Sequence, residues 1–221
     1  MFAVVSENYD ILNDLLSFGI HRKWKRKTVE LSEVSEGQKI LDCACGTGDL
    51  AIEFKKASGK NGIVIASDFC EDMLSLAAKK AKKNDISLNF VRADALNLPV
   101  ESENFDSASI GFGIRNVEDR ILCLREMARV VKKRGRVVIL EFGNPGGIMK
   151  ILYRIYSLFI PLLARLISGE RQAYKYMTAS IRRFPTGKDF VELMELANVF
   201  SSCRSHKLTF GIAYVYVGIV K

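Results

Sequence analysis

Two hydrophobic rhythms alternate along the chain. Lys39–Cys43 (KILDC) is a short apolar run that ends at Asp42 and meets a cluster of glycines, and Asp49–Ala57 then carries helical spacing. The beat repeats: Ile63–Ala66 (IVIA) ends at Ser67 and Asp68, and Glu71–Lys83 sets Met73, Leu74, Ala77, Ala78 and Ala81 along one stripe. Leu88–Val91 and Phe105–Ile110 read as strands, Val117–Val131 as a helix, and Val137–Phe142 (VVILEF) as a strand rich in β-branched residues. Continuous apolar strands alternating with helices require a parallel sheet covered on both faces, so the fold class is α/β, doubly wound.

The rhythm changes near residue 200. A helix is predicted over Thr186–Asn198, and the strands Ser205–Thr209 and Ile212–Val220 are separated only by Phe210 and Gly211. That gap is too short for a crossover, which leaves an antiparallel hairpin closing a mostly parallel seven-stranded sheet. With 221 residues, one domain over 1–221 is expected, with a helical N-terminal segment (1–35) and a helical cap (146–180). Within the cap, Ile148–Ile167 is apolar but broken by Lys150, Arg154 and Arg165. The unbroken run Ile155–Ala164 is shorter than the roughly 20 residues that span a bilayer, although it is long enough to lie on one.

Charge narrows the partners without choosing one. The net charge is +8 and the isoelectric point near 9.3, which favours an anionic partner such as nucleic acid, a lipid surface or a phosphorylated or carboxylated ligand. Five cysteines without a C-x-x-C pair, and no basic-then-apolar leader pattern, suit a reduced, cytoplasmic protein. The two histidines, His21 and His206, lie far from any cysteine pair, so no metal site is expected.

The chemistry concentrates after the first strand. Gly46-Thr47-Gly48-Asp49-Leu50-Ala51 satisfies G-x-G-x-x-A between a strand and a helix, where backbone can approach a ligand and free N–H groups face it. Asp68, 20 residues beyond Gly48 and followed by Phe69, ends the second strand, where a carboxylate can accept from both hydroxyls of a ribose. An adenosine cofactor follows, either NAD or S-adenosylmethionine (SAM). Three features favour SAM: Asp42 beside the glycines for the ammonium of a methionyl tail, Asp94 with Ala95 after the third strand for the adenine edge, and the terminal hairpin.

Further motifs are narrower than the glycine loop. They include Asn13 through Lys25 (NDLLSFGIHRKWK), Gly111-Phe112-Gly113-Ile114-Arg115-Asn116-Val117, Ser180-Ile181-Arg182 with Phe184-Pro185, and Leu208-Thr209-Phe210-Gly211. On these the chain resembles the UbiE/MenG family of quinone-biosynthesis C-methyltransferases. The resemblance implies SAM contacts at Thr47, Asp68, Asp94 with Ala95, and Gly111, where some members carry serine. It also implies a lipophilic prenylated quinol as acceptor, demethylmenaquinol above polyprenyl benzoquinol. General methyltransferase loops often begin with glycine where this chain has Ala44.

Ring methylation needs an acceptor carbon held in line behind the sulfonium methyl, a stabilised phenolate and a proton acceptor, and no metal. Arg115 is the expected phenolate partner, and Asn116 orients a quinol oxygen or a water. The proton goes to Asp94 or His21, directly or through water. Tyr9 either shields the cofactor or packs in the core, and Arg182 is a candidate contact to substrate or lipid headgroup. The cap either buries an extra core face or forms a greasy, basic lip against anionic membrane. Nucleic acid is disfavoured, because no N-P-P-aromatic signature follows the fourth strand and no nucleic-acid module is visible. A SAM-binding subunit without turnover is the reading from outside enzymology. The sequence leaves oligomeric state open.

Overall fold

The computed structural model describes residues 14, 17, 19–147 and 171–221, with backbone alone over 171–175. Its helices are α1 (His21–Leu31), α2 (Asp49–Ser58), α3 (Glu71–Lys83), α4 (Arg120–Val130), α5 (Arg171–Arg183) and α6 (Lys188–Leu196). Its strands are β1 (Lys39–Cys43), β2 (Ile63–Asp68), β3 (Asn89–Arg92), β4 (Phe105–Gly111), β5 (Val131–Phe142), β6 (Phe200–Leu208) and β7 (Ala213–Val220). They form one seven-stranded sheet in the order β3-β2-β1-β4-β5-β7-β6. The first five strands pair in parallel, and β7 runs antiparallel to both β5 and β6. The doubly wound sheet with its terminal hairpin is therefore present as expected.

Three element boundaries differ from the hydrophobic pattern. Helix α4 begins at Arg120 rather than Val117, because Ile114–Asn116 forms a separate 3-10 turn, Val117 is extended, and Asp119 caps the helix by accepting from Leu122 N at 2.9 Å. Strand β5 begins at Val131: Val131 pairs with Phe105, and pairing resumes only at Arg136 with Ser107, so the intervening polar residues loop out as a bulge that looks like a connection. Strand β6 begins at Phe200, since an edge strand alternates exposed Ser, Arg and Lys with half-buried residues and shows no apolar run.

The sheet order reverses between β1 and β4, which opens a crevice at their carboxyl ends, the usual ligand position in open α/β sheets. Helix α1 lies beside it. Trp24 packs against Phe112 and Phe142, with ring centroids 6.4 and 6.1 Å away, and its indole N–H donates to Thr209 Oγ1 at 2.8 Å. One side chain thus joins α1, the end of β4 and the hairpin turn. Tyr9 and most of the 146–180 cap lie outside the described residues; α5 begins at Arg171. Among the described residues no helix is long and apolar enough to cross a membrane.

Candidate cofactor and active site

The loop after β1 is built from left-handed backbone. Ala44, Gly46 and Gly48 have φ of 46°, 55° and 81°, which explains why glycine is common where this chain places Ala44. Gly46 N–H donates to Asp68 Oδ2 at 2.8 Å, and Cys70 N–H to Asp68 Oδ1 at 2.9 Å. The carboxylate at the end of β2 thereby fixes the loop at the end of β1. Gly48 serves packing, since it caps α2 and a Cβ placed on it would lie 3.0 Å from Ala77 Cβ of α3. Gly48→Ala is expected to lower stability by about 1–3 kcal/mol through left-handed strain and crowding, read as a lower urea midpoint with an unchanged slope.

A cavity of about 410 Å³ opens beside this loop, of a size suited to a small ligand. Its walls bring together Gly46, Asp68, Phe69, Asp94, Ala95, Gly111 and Asn116, from the carboxyl ends of β1, β2, β3 and β4. Burial pushes the Asp68 carboxyl above its ordinary value, while the backbone N–H groups of Cys70, Gly46 and Phe69 oppose that shift. The hydrogen bonds from Gly46 and Cys70 occupy one lone pair on each oxygen, leaving acceptor capacity for further donors. Phe69 is 68% exposed and lies against the Arg92 guanidinium, 5.9 Å from the ring centroid. Asp94 accepts from Leu96 N at 2.9 Å, which shapes the turn after β3.

A narrow recess adjoins the cavity, sharing Ala44, Gly46, Gly111 and Phe112 with it and adding Lys25, Asp42, Thr47 and Asp49. Asp42 is wholly buried. Its Oδ1 accepts from Ser109 Oγ at 2.6 Å, while Oδ2 has no hydrogen-bond partner among the described residues. Burial raises its pKa to about 7, against the Ser109 bond, the Lys25 charge and the Ala51 N–H, which lower it. Lys25 reaches in from α1 to Asp49 Oδ2 at 2.6 Å. Lys80 binds Asp49 Oδ1 at 2.7 Å and donates to Thr47 Oγ1 at 3.0 Å. Burial pushes Asp49 upward, yet the two lysines outweigh it and hold the carboxyl well below the usual range.

Arg115 and Asn116 diverge although they are neighbours. Arg115 is buried, donates from Nη1 to Glu141 Oε1 at 2.7 Å and to the Phe112 carbonyl, and stacks 5.6 Å over Phe142. Glu141 is fully buried and also accepts from Arg115 N and Phe142 N. The guanidinium is committed to this pair and is not among the residues lining the described cavity, whereas Asn116 is, with its buried Oδ1 lacking a partner among the described residues. Glu141 is legible in the sequence as a single acid within VVILEF, a strand position that demands a buried counter-charge. Lys25 stands out in the sequence only as part of a motif, because nothing local reports that α1 returns to the glycine loop.

His21 is buried on α1, its Nε2 2.8 Å from Asp14 Oδ1, and its Nδ1 has no partner among the described residues. Burial, then the Lys25 charge, lower its pKa, and Asp14 only partly restores it. Arg182 is exposed on α5 and lines none of the described cavities. Cys43 and Cys45 have thiols pushed well above their ordinary range by burial, which suits packing rather than nucleophilic chemistry. Among the described residues, no group of three or more His, Cys, Asp or Glu side chains is arranged to hold a metal ion.

Solved structures share this fold. A SAM-dependent methyltransferase from Aquifex aeolicus superposes with a TM-score of 0.64 over 89% of each chain at 16% identity. Phosphoethanolamine N-methyltransferase 2 from Haemonchus contortus, in complex with SAM, superposes at 0.65 over 90% of this chain and 52% of its own at 13% identity. The protein is a SAM-dependent methyltransferase. The chain belongs to the ubiE/COQ5 methyltransferase family, whose model matches residues 1–220. A relative from Bdellovibrio bacteriovorus, named ubiquinone/menaquinone biosynthesis C-methyltransferase UbiE, is 44% identical over 100% of this chain and 94% of its own length. A second of the same name, from Proteus mirabilis, is 38% identical over 99% and 88%.

Proposed function

We propose that this protein transfers a methyl group from SAM to a ring carbon of a prenylated quinol, with demethylmenaquinol as acceptor and S-adenosylhomocysteine as the second product. The observation that carries the reading is 44% identity along the whole chain to a relative named for quinone-biosynthesis C-methylation. That name covers both quinone types, so the acceptor's ring is the part the assay must decide.

Each residue then has a physical role. Asp68 accepts from the ribose hydroxyls, Phe69 offers its exposed face to the adenine, and Asp94 with Ala95 borders the adenine edge. Gly46, Thr47 and Gly111 form the wall along the methionyl side, and Asp42 faces its ammonium. When bound, SAM supplies an electrophilic methyl on a sulfonium, so the protein's work is alignment, worth as much as roughly 7–11 kcal/mol for well-oriented partners. Asn116 orients the quinol oxygen through its unpartnered Oδ1. Arg115 acts at one remove, holding the 3-10 turn that presents Asn116. His21, whose pKa burial lowers, accepts the released proton at Nδ1 while Asp14 fixes the opposite nitrogen. Arg182 faces substrate or headgroup, and the protein meets the surface of an anionic membrane on its cytoplasmic side.

The test is methyl transfer from labelled SAM to chemically reduced demethylmenaquinone in liposomes, with demethylated benzoquinol and RNA as parallel acceptors. Label in menaquinol is the expected result. Label in benzoquinol alone replaces the ring, and label in RNA overturns the acceptor class.

A further inference from the structure

The basic side chain in the recess calls for explanation. Lys25 is buried, its side chain only 9% exposed, on a helix otherwise remote in sequence from the glycine loop. It lines the same recess as Asp42, and the two flank the loop residues Ala44 to Thr47. Its partner Asp49 is already bound at the opposite oxygen by Lys80, so Asp49 keeps a cation when Lys25 turns away. Asp42 has an oxygen without a partner among the described residues. A buried acid with spare acceptor capacity and a buried ammonium with an interchangeable partner, both in one recess, match a zwitterion.

Resting on the SAM site above, we propose that Lys25 binds the α-carboxylate of the methionyl tail while Asp42 binds its ammonium, so that α1 supplies half of an amino-acid clamp. The recess measures about 20 Å³, room for little more than one water, so Lys25 must leave Asp49 for the tail to enter. The exchange replaces one charge-assisted hydrogen bond with another and leaves no carboxylate uncompensated.

The experiment is calorimetric titration of the full chain with S-adenosylhomocysteine, with its decarboxylated analogue, and with 5′-methylthioadenosine, which lacks the amino-acid group. The native protein is expected to favour S-adenosylhomocysteine over the decarboxylated analogue by about 10- to 100-fold. Lys25→Met is expected to erase that preference while leaving methylthioadenosine affinity unchanged, and Lys25→Arg to retain most of it. If the native protein binds both analogues of the tail equally, or if Lys25→Met weakens methylthioadenosine as much as S-adenosylhomocysteine, the clamp is overturned and Lys25 only braces Asp49. A native protein that binds none of the three would overturn the cofactor site itself, a failure distinct from that of the clamp. The native comparison stands even where Lys25→Met does not fold.

Discussion

Arg115→Ala is expected to lower folding stability by about 3–5 kcal/mol, because it strands the fully buried Glu141 carboxylate without its cation. Glu141 would keep only the backbone N–H groups of residues 115 and 142, too few donors for a charge removed from water. The Phe112 carbonyl would lose its guanidinium donor, and the 3-10 turn its anchor. Urea unfolding should show a large drop in midpoint, and turnover should fall together with cofactor affinity as the turn loosens. The matched apolar pair Arg115→Met with Glu141→Leu should recover most of the stability while leaving activity impaired. An unchanged midpoint with lost turnover would instead place the guanidinium on the acceptor.

Asp68→Ala is expected to reduce affinity for S-adenosylhomocysteine by about 100-fold or more, since two hydrogen bonds to an ionised carboxylate contribute roughly 1.5–3 kcal/mol each. The loss should extend equally to methylthioadenosine, which carries the same ribose; this separates Asp68 from the residues around the methionyl tail. Loosening of the loop adds to the effect, because Gly46 N–H and Cys70 N–H lose their acceptor. The carboxylate must be ionised to accept from both hydroxyls. Burial has raised its pKa, so native affinity should weaken on acidification at a higher pH than an ordinary carboxylate would give. Calorimetry on both ligands across pH checks this, and unchanged affinity in the variant would remove the ribose assignment.

The contrast between these two residues shows what a linear sequence makes visible. Asp68 is legible because its position is set by local periodicity: it ends a short apolar strand at a fixed distance from a glycine loop, and parallel pairing of β1 with β2 brings the two ends together. Asp94 follows from the same logic at the end of the third strand, whereas Gly111 is singled out only through the family resemblance. Arg115 falls at the expected edge, but its direction depends on Glu141, 26 residues on and one strand over, and on a 3-10 turn that splits the apparent helix. Lys25 depends on α1 folding back across the sheet, a long-range fact without local signature. The starts of β5 and β6 are hidden because a bulge and a solvent-facing edge both suppress the apolar pattern that reveals strands.

The place of β7 has a consequence for synthesis on the ribosome. Although β6 is made first, β7 lies inside it, bonded to β5 on one side and β6 on the other. A growing chain therefore reaches residue 208 with an open flank beside β5 and the position between β5 and β6 unfilled. Thr209, which receives the Trp24 indole, is only set once the turn into β7 has formed. The segment carrying Lys25 emerges from the exit tunnel early and meets Asp49, Phe112 and Phe142 before the final strand is made, but its Trp24 gains Thr209 only at the end. Nascent chains stalled short of residue 213 should thus hold α1 through its earlier contacts alone, so that its last anchor is set late, as translation of this sheet finishes.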